Sequence, residues 1–541
     1  MEAHVGHASP RRLPSAADLR RWSGHWPWLP LPLAGVYLIT IATKFSGIVA
    51  NTYLNGDAAS APVIGALFRG SSAHRQVILG QLGWYSTLLT ELATRWLPAH
   101  RQIWEALPAL LALASAVLVS WGALRLAGRW AAVIAGVIAL CAGPTALSWL
   151  FSLNDHSPTW FCFALLGALL VLLFSPPAWL TRPWAALVVV VAGVILGVNA
   201  ASDPLLIIAG LVPAALAAVA ALWVTGSAQR RQALIAAGAA LVTMVVFFVL
   251  TRAWAHHENI IASPGPPRNV FAAGDVVSNN FKLWWQSVMA IGDGDFFGAK
   301  VTLTSALELM CGLLGLLTLL LTPLIAWREG NGALTKRDPA RVAWCVFWAT
   351  SAILLSGVFI FSTSPVDQYS ARYLIGAVYA AAALIPLLAS TRPLARVLIT
   401  AGAALYALTG VVCLISNQST PTATLIGYPQ YNQVAKLARE NHLAFGYADY
   451  WDAAPITWAT HLRLHVYPVQ DCGAQLCPSS LHDITSWYVP RASTPTFLIA
   501  DTARPTPSNP VPGLGTPTHV YQISAMTMYV YPYDIAARIQ P

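Results

Sequence analysis

The sequence predicts a polytopic α-helical membrane protein with a small α/β domain at its C-terminal end, and three observations carry that prediction. Hydrophobic residues make up 56% of the 541 and charged residues 10%, with a mean hydropathy of +0.58, far from the composition of soluble globular domains. About eleven stretches approach the roughly 20 apolar residues that a helix needs to cross the hydrocarbon. After residue 416 the composition turns polar, Pro-rich and aromatic.

The first stretch, near 31–49, contains Lys44 and follows a polar N-terminal tail, so it reads as a retained span and not as a cleaved signal. The others lie near 106–126, 130–150, 159–175, 184–200, 205–224, 233–252, 302–326, 342–362, 373–390 and 395–415. Short cytoplasmic loops carry the excess of Lys and Arg. Threading the spans from a cytoplasmic N-terminus puts Arg11, Arg12, Arg20, Arg21, Arg125, Arg129, Arg182, Arg230, Arg231, Arg328, Lys336, Arg337, Arg341, Arg392 and Arg396 inside. The opposite loops carry Asp57, Asp155, Asp203, Glu258, Asp275, Asp293, Asp295 and Asp367. The net charge of +9 is therefore mostly topology, and a nucleic-acid partner is a poor explanation for it. The organisation expected is a cytoplasmic tail over 1–30, a membrane domain over 31–415 and an extracytoplasmic α/β domain over 416–541. A bacterial inner or plasma membrane is the expected location, with the bilayer itself as one partner.

Two outer loops are long enough for chemistry, 50–105 and 253–301. In the first, Val77, Ile78, Leu79, Leu82, Trp84, Leu88 and Leu89 alternate with polar residues as interfacial helices do, and Arg69, His74 and Arg75 precede them. The second holds His256, His257, Glu258, a Pro-rich segment at 264–267 and Lys282 beside Trp284 and Trp285, and is suited to a lid. His256 and His257 are adjacent and cannot both face one metal from a regular element, and Asp293-Gly294-Asp295 reads as a turn.

In the tail, residues 429–442 have helical spacing, and strand-like runs lie near 463–469, 496–501 and 527–532. Cys472 and Cys477 fit a small disulfide loop in an oxidising compartment, against the alternative of two free thiols. Cys141, Cys162, Cys311, Cys345 and Cys413 fall within apolar spans as small buried hydrophobes. The segment from Gly446 to Asp452 is rich in aromatics and acids, a composition that stacks on sugars or packs a domain against a membrane core.

The candidate site residues are the acids that open the first two outer loops and the basic residues near the outer ends of spans. Asp57 lies in Tyr53-Leu54-Asn55-Gly56-Asp57-Ala58, Asp155 in Leu153-Asn154-Asp155-His156-Ser157-Pro158, and Arg372 in Asp367-Gln368-Tyr369-Ser370-Ala371-Arg372-Tyr373. This organisation resembles the GT-C superfamily of integral-membrane glycosyltransferases, with the protein mannosyltransferases and lipid A aminoarabinose transferases as analogues. The resemblance covers the architecture of most of the chain, and its motifs are short. It implies a polyprenyl-phosphate sugar donor and a lipid, glycan or protein acceptor. It matches the early acid to Asp57, as catalytic base, and the next to Asp155. It matches the Arg-Tyr that opens a late span to Arg372 and Tyr373, as a grip on the carrier phosphate. In some members such acids hold a divalent metal, for which Asp57 and Asp155 are the ligands to consider. No extended signature of one subfamily is present, which leaves donor and acceptor open.

Elementary chemistry points the same way. Sugar transfer from a phosphate carrier needs a base on the acceptor and positive charge on the departing phosphate. The planar fork of arginine suits phosphate. Lys44, costly within a span unless it faces a polar cavity or snorkels, joins Arg69, Arg75 and His156 as further phosphate-binding candidates. Each residue also has a structural reading: Asp57 and Asp155 as helix caps, Arg372 as an interfacial anchor, His156 as a packed core histidine. Two other classes of function fit the same composition, a transporter or flippase of a lipid-linked saccharide and a non-catalytic envelope assembly protein. The first should show internal repeats or paired broken helices, and none is evident.

Overall fold

A computed structural model of the chain describes residues 28–51, 56–67, 76–79, 88–89, 101–151, 156–177, 182–262, 271–292, 294, 300–365, 368–389, 392–416, 428–472, 475–479, 481–491, 494–501 and 513–539. Among them, nine helices are long and apolar enough to cross a membrane, and two shorter apolar helices accompany them. The protein is a polytopic membrane protein, and each of the eleven apolar stretches falls on a helix.

In chain order these are α1 (Pro30–Asn51), the loop helix α2 (Gly56–Leu67), α3 (Arg101–Ala127), α4 (Arg129–Leu140) and the short α5 (Pro144–Leu150). There follow α6 (Ser157–Phe174), α7 (Arg182–Ser202), α8 (Pro204–Val224) and α9 (Ser227–His257). After a second loop helix, α10 (Gly274–Ile291), come α11 (Leu303–Lys336), α12 (Pro339–Phe361), α13 (Ile375–Ala389) and α14 (Pro393–Ser416). The stretch at 130–150 is broken, because α4 ends at Leu140 and Pro144, which lacks the amide proton a continuing helix needs, starts α5. Within α8 a π turn at Ile207–Leu211 follows Asp203, whose carboxylate accepts from Leu205 N at the helix start.

The bundle core is aromatic at its centre. Trp160, Trp344, Trp348, Phe163 and Phe347 are fully buried, and Trp344 Nε1 donates to Ala383 O at 3.0 Å, tying α12 to α13. Outward faces of α9 and α11 expose Ile235, Val242, Leu320 and Leu324, as lipid-facing helices do. Several of the basic residues lie at one set of helix ends. Arg125 donates to Ser175 O at 2.9 Å, Arg341 pairs with Glu329 at 3.3 Å, and Arg396 stacks over Trp130 at 5.1 Å.

At the other end sits the C-terminal region. Helices α15 (Tyr428–Glu440) and α16 (Tyr450–Ala459) pack on a six-stranded mixed sheet of order β5-β4-β3-β7-β9-β8. Its strands are Phe445–Ala448 (β3), His465–Cys472 (β4), Gln475–Pro478 (β5), Thr496–Asp501 (β7), His519–Ile523 (β8) and Met526–Tyr531 (β9). β3 pairs parallel with β4 and β7, and the outer pairs are antiparallel. A disulfide joins Cys472 to Cys477 across the β4–β5 turn. A smaller sheet of order β2-β1-β6 joins the two long loops to this region: Val77–Leu79 (β1) pairs with Ile260–Ala262 (β2) and with Asp483–Ile484 (β6). Residues 77–79 are thus a buried strand and not part of an interfacial helix, since Val77 and Leu79 point into the apolar layer beneath the larger sheet. Residues 274–291 of the expected lid form α10, whose Trp284, Val288 and Ile291 are buried against the bundle.

Candidate active site

Helix α2 begins at Gly56, so Asp57 lies in its first turn, where the partial positive charge of a helix N-terminus favours a carboxylate. Both its oxygens are taken by side chains. Oδ2 accepts from Arg372 Nη2 at 3.1 Å, and Oδ1 accepts from the Tyr450 hydroxyl at 2.6 Å. The ion pair is largely enclosed, with the side chains of Arg372 and Asp57 12% and 17% exposed. Three distant stretches therefore meet here: the start of α2 in the loop after α1, the 3-10 turn Gln368–Leu374 that leads into α13, and the first residue of α16.

Arg372 is held in place by its neighbour. Its Nη2 donates to the Tyr373 hydroxyl at 3.3 Å, and the guanidinium carbon lies 4.9 Å from the centre of the Tyr373 ring, a favourable cation–π distance. The other face of the site is a buried polar network. The Tyr373 ring packs 5.2 Å from that of His156, and His156 Nδ1 meets Asp203 Oδ2 at 2.5 Å. Thr159 Oγ1 donates to the same oxygen at 2.5 Å, and Asn199 Nδ2 donates to Thr159 Oγ1 at 2.9 Å. His156 takes a left-handed backbone, φ 66°, at the start of α6, which is costly for a non-glycine residue. Its contact with Asp203 holds it there.

On the sheet side, Tyr450 packs against the His482 ring at 5.6 Å and the Trp451 ring at 5.0 Å. Burial, reinforced by the Asp57 charge, raises the Tyr450 phenol well above its ordinary value of 10. Burial pushes His482 down to about 4, with Asp57 opposing. Next to it, burial pushes Asp483 up to about 7, with the Tyr488 hydroxyl opposing. The nearby Tyr488 hydroxyl is turned to Pro468 O.

Of the residues expected from sequence, Asp57, Arg372 and Tyr373 come together, and His156 joins them through the Tyr373 ring. Lys44 is placed elsewhere: its ammonium donates to Leu414 O at 3.4 Å and Ile415 O at 3.3 Å, the last carbonyls of α14, a favourable position for a cation. Asp155, Arg69 and Arg75 lie outside the described residues. Tyr450 and Asp203 were not among the expected site residues. Tyr450 belongs to the acidic, aromatic segment at 446–452, and Asp203 to the acids of the outer loops, so the signal was composition without a partner. Among the described residues no three His, Cys, Asp or Glu side chains converge as metal ligands, and the charge on Asp57 is balanced by a guanidinium.

No family model matches the chain, and no curated protein matches its sequence. Solved structures do. ArnT from Cupriavidus metallidurans bound to undecaprenyl phosphate superposes with a TM-score of 0.54 at 13% identity, over 92% of this chain and 97% of that one. The apo form gives 0.53 at 13% identity, over 94% and 99%. An oligosaccharyltransferase from Archaeoglobus fulgidus, in a complex with Zn and sulfate, gives 0.43 at 15% identity and covers 62% of that chain. The chain therefore shares the fold of ArnT over most of the length of both chains.

Proposed function

We propose that the protein is a membrane glycosyltransferase that moves a sugar from a polyprenyl-phosphate carrier to a lipid, glycan or protein acceptor on the extracytoplasmic face. The observation that carries this reading is the enclosed Asp57–Arg372 pair. It supplies, at 3.1 Å, the base and the phosphate-binding cation that the reaction needs. The fold adds support, since ArnT was solved with undecaprenyl phosphate bound.

In the proposed reaction the carrier phosphate draws Arg372 away from Asp57 and takes both prongs of its fork. Oδ2 of Asp57 is thereby freed and accepts the proton of the acceptor hydroxyl or amine as that atom attacks the anomeric carbon. The bond from the anomeric carbon to the phosphate oxygen breaks, and polyprenyl phosphate leaves with its charge on Arg372. An apolar cavity of about 310 Å³ between α11, α13 and α14 supports the lipid side of the reading. Leu314, Leu317, Leu374, Ala377, Leu398 and Tyr406 line it, and Leu374 is two residues from Arg372. Leu317 and Leu398 are also exposed on the bundle surface, so an isoprenoid chain would enter from the bilayer.

Purified wild type and Asp57→Asn, given a panel of undecaprenyl-phosphate-linked sugars, test the assignment. Wild type should release undecaprenyl phosphate from at least one donor, and the variant should lose about 100-fold or more of that rate. Equal turnover by both proteins would overturn the role of Asp57, and no turnover of any donor by wild type would overturn the reading itself.

A further inference from the structure

We infer that Tyr450, contributed by the C-terminal sheet region, is a positioning residue for Asp57, so that this region completes the active site as well as covering it. The inference rests on the proposed role of Asp57 as base. Its geometry is a 2.6 Å hydrogen bond from the Tyr450 hydroxyl to Asp57 Oδ1, between residues 393 apart in sequence.

Four observations carry it. First, the two contacts on Asp57 are unequal in permanence. Arg372 is the group that a phosphate would attract, whereas a buried phenol whose proton is held far above neutrality stays a donor at every physiological pH. When Arg372 turns to a phosphate, Tyr450 alone among the described partners keeps the carboxylate aimed. Second, Tyr450 is itself fixed, at 7% exposure, between the rings of Trp451 and His482. Third, the backbone is shaped for the contact. A Cβ on Gly56 would meet Tyr450 O at 2.5 Å and its ring at 2.9 Å, so only glycine lets the start of α2 come this close. Fourth, the helix that presents Tyr450 is secured at its start, where Asp449 Oδ1 accepts from Asp452 N at 2.9 Å.

The chemistry that follows is directional. With Oδ1 occupied by a neutral donor, the proton of the acceptor goes to Oδ2, on the side that Arg372 vacates. Removal of the hydroxyl leaves a carboxylate free to rotate once Arg372 has turned to the phosphate, so that Oδ2 is no longer aimed at the acceptor. A misaligned base loses rate, not donor affinity.

The test is Tyr450→Phe, which removes one oxygen and keeps the ring. Two readouts are taken on the full-length protein in detergent. One is the turnover of an undecaprenyl-phosphate-linked sugar that wild type consumes. The other needs no donor and follows the carboxylate stretching band of Asp57 by infrared difference spectroscopy against Asp57→Asn. The expected result is a kcat loss of about 10–100-fold with the donor KM nearly unchanged. The carboxylate band should shift in Tyr450→Phe, because the hydrogen bond to Oδ1 is gone. A carboxylate band that stays in place overturns the inference. If the infrared signal moves while turnover does not, Tyr450 sets the state of Asp57 and the base role of Asp57 is wrong. If wild type consumes no donor, the glycosyltransferase reading fails while the infrared arm still decides the Tyr450 contact.

Discussion

Gly56→Ala tests the approach of the terminal region to the first outer loop, and its sign discriminates. Gly56 lies at the start of α2 and outside the left-handed region. By helix propensity alone an alanine there should stabilise by up to about 1 kcal/mol. The packing says the opposite. The added Cβ would stand 2.5 Å from Tyr450 O, a backbone atom that no rotamer change can move. Ordinary contact begins near 3.4 Å, so α2 and α16 must part by roughly 0.9 Å. That opening stretches the Tyr450–Asp57 bond from 2.6 Å to roughly 3.5 Å, where little of it survives. Overpacking costs about 1–3 kcal/mol, and a hydrogen bond to a charged group is worth about 1.5–3 kcal/mol. Since separation relieves the clash as it breaks the bond, the two do not add, and a net loss of about 1.5–3 kcal/mol is expected. Melting of the purified protein in detergent, followed by tryptophan fluorescence, gives the sign. Hydrogen exchange over residues 450–459 locates it, and these amides should exchange faster. A raised midpoint with unchanged exchange would refute the reasoning.

Three further expectations follow from the same geometry. Arg372→Lys keeps a positive charge but loses the fork and the stacking on Tyr373, and binding of undecaprenyl phosphate should weaken about 10-fold in a fluorescence titration; equal affinity would remove Arg372 from phosphate recognition. Asp203→Asn leaves His156 and Thr159 facing an amide, and should lower stability by about 1–3 kcal/mol in urea or thermal unfolding, with no change if the network is slack. The third concerns pH. Asp483 is raised from 3.8 to about 7, so its contribution is whole below pH 4 and is lost as pH rises toward 7, because the native state then binds the extra proton. His482 is lowered from 6.5 to about 4, so its contribution has the opposite slope: stability is lost as pH falls from 6.5 to 4. The two oppose each other across pH 4–6.5, and wild type should melt at nearly constant temperature there. Asp483→Asn should make the midpoint rise with pH and His482→Gln should make it fall, and parallel flat profiles in all three would contradict the shifts.

The bundle was legible in the sequence because hydrocarbon allows few alternatives. A chain in lipid must satisfy its backbone internally, so each long apolar run became helix, with Pro144 starting a second helix where the run at 130–150 divides. The terminal region was legible where strands were long, as at 496–501 and 526–531. Strand β1, only three residues long, carries no periodicity of its own and is specified by partners at 260–262 and 483–484. The site divides in the same way. Asp57, Asp155 and Arg372 drew notice as charges beside spans, a local signal. Tyr450 and Asp203 act through contacts with residues hundreds or tens of positions away, and local composition carries no record of such partners. Lys44, a charge within a span, was a further candidate for the phosphate, yet it lies on carbonyls of the last turn of α14.

The small sheet made by both loops and the terminal region has a consequence for biosynthesis. Asp57 emerges 315 residues before Arg372 and 393 before Tyr450, an interval of roughly 20–80 s at about 5–20 residues per second. The last strand, at 483–484, is made later still. Membrane insertion of the spans can run far ahead while the first loop waits without its partners, so the contact order of this end is high and its closure late. A chain terminated after α14 would hold these spans without Tyr450, and so without one of the two contacts that Asp57 makes.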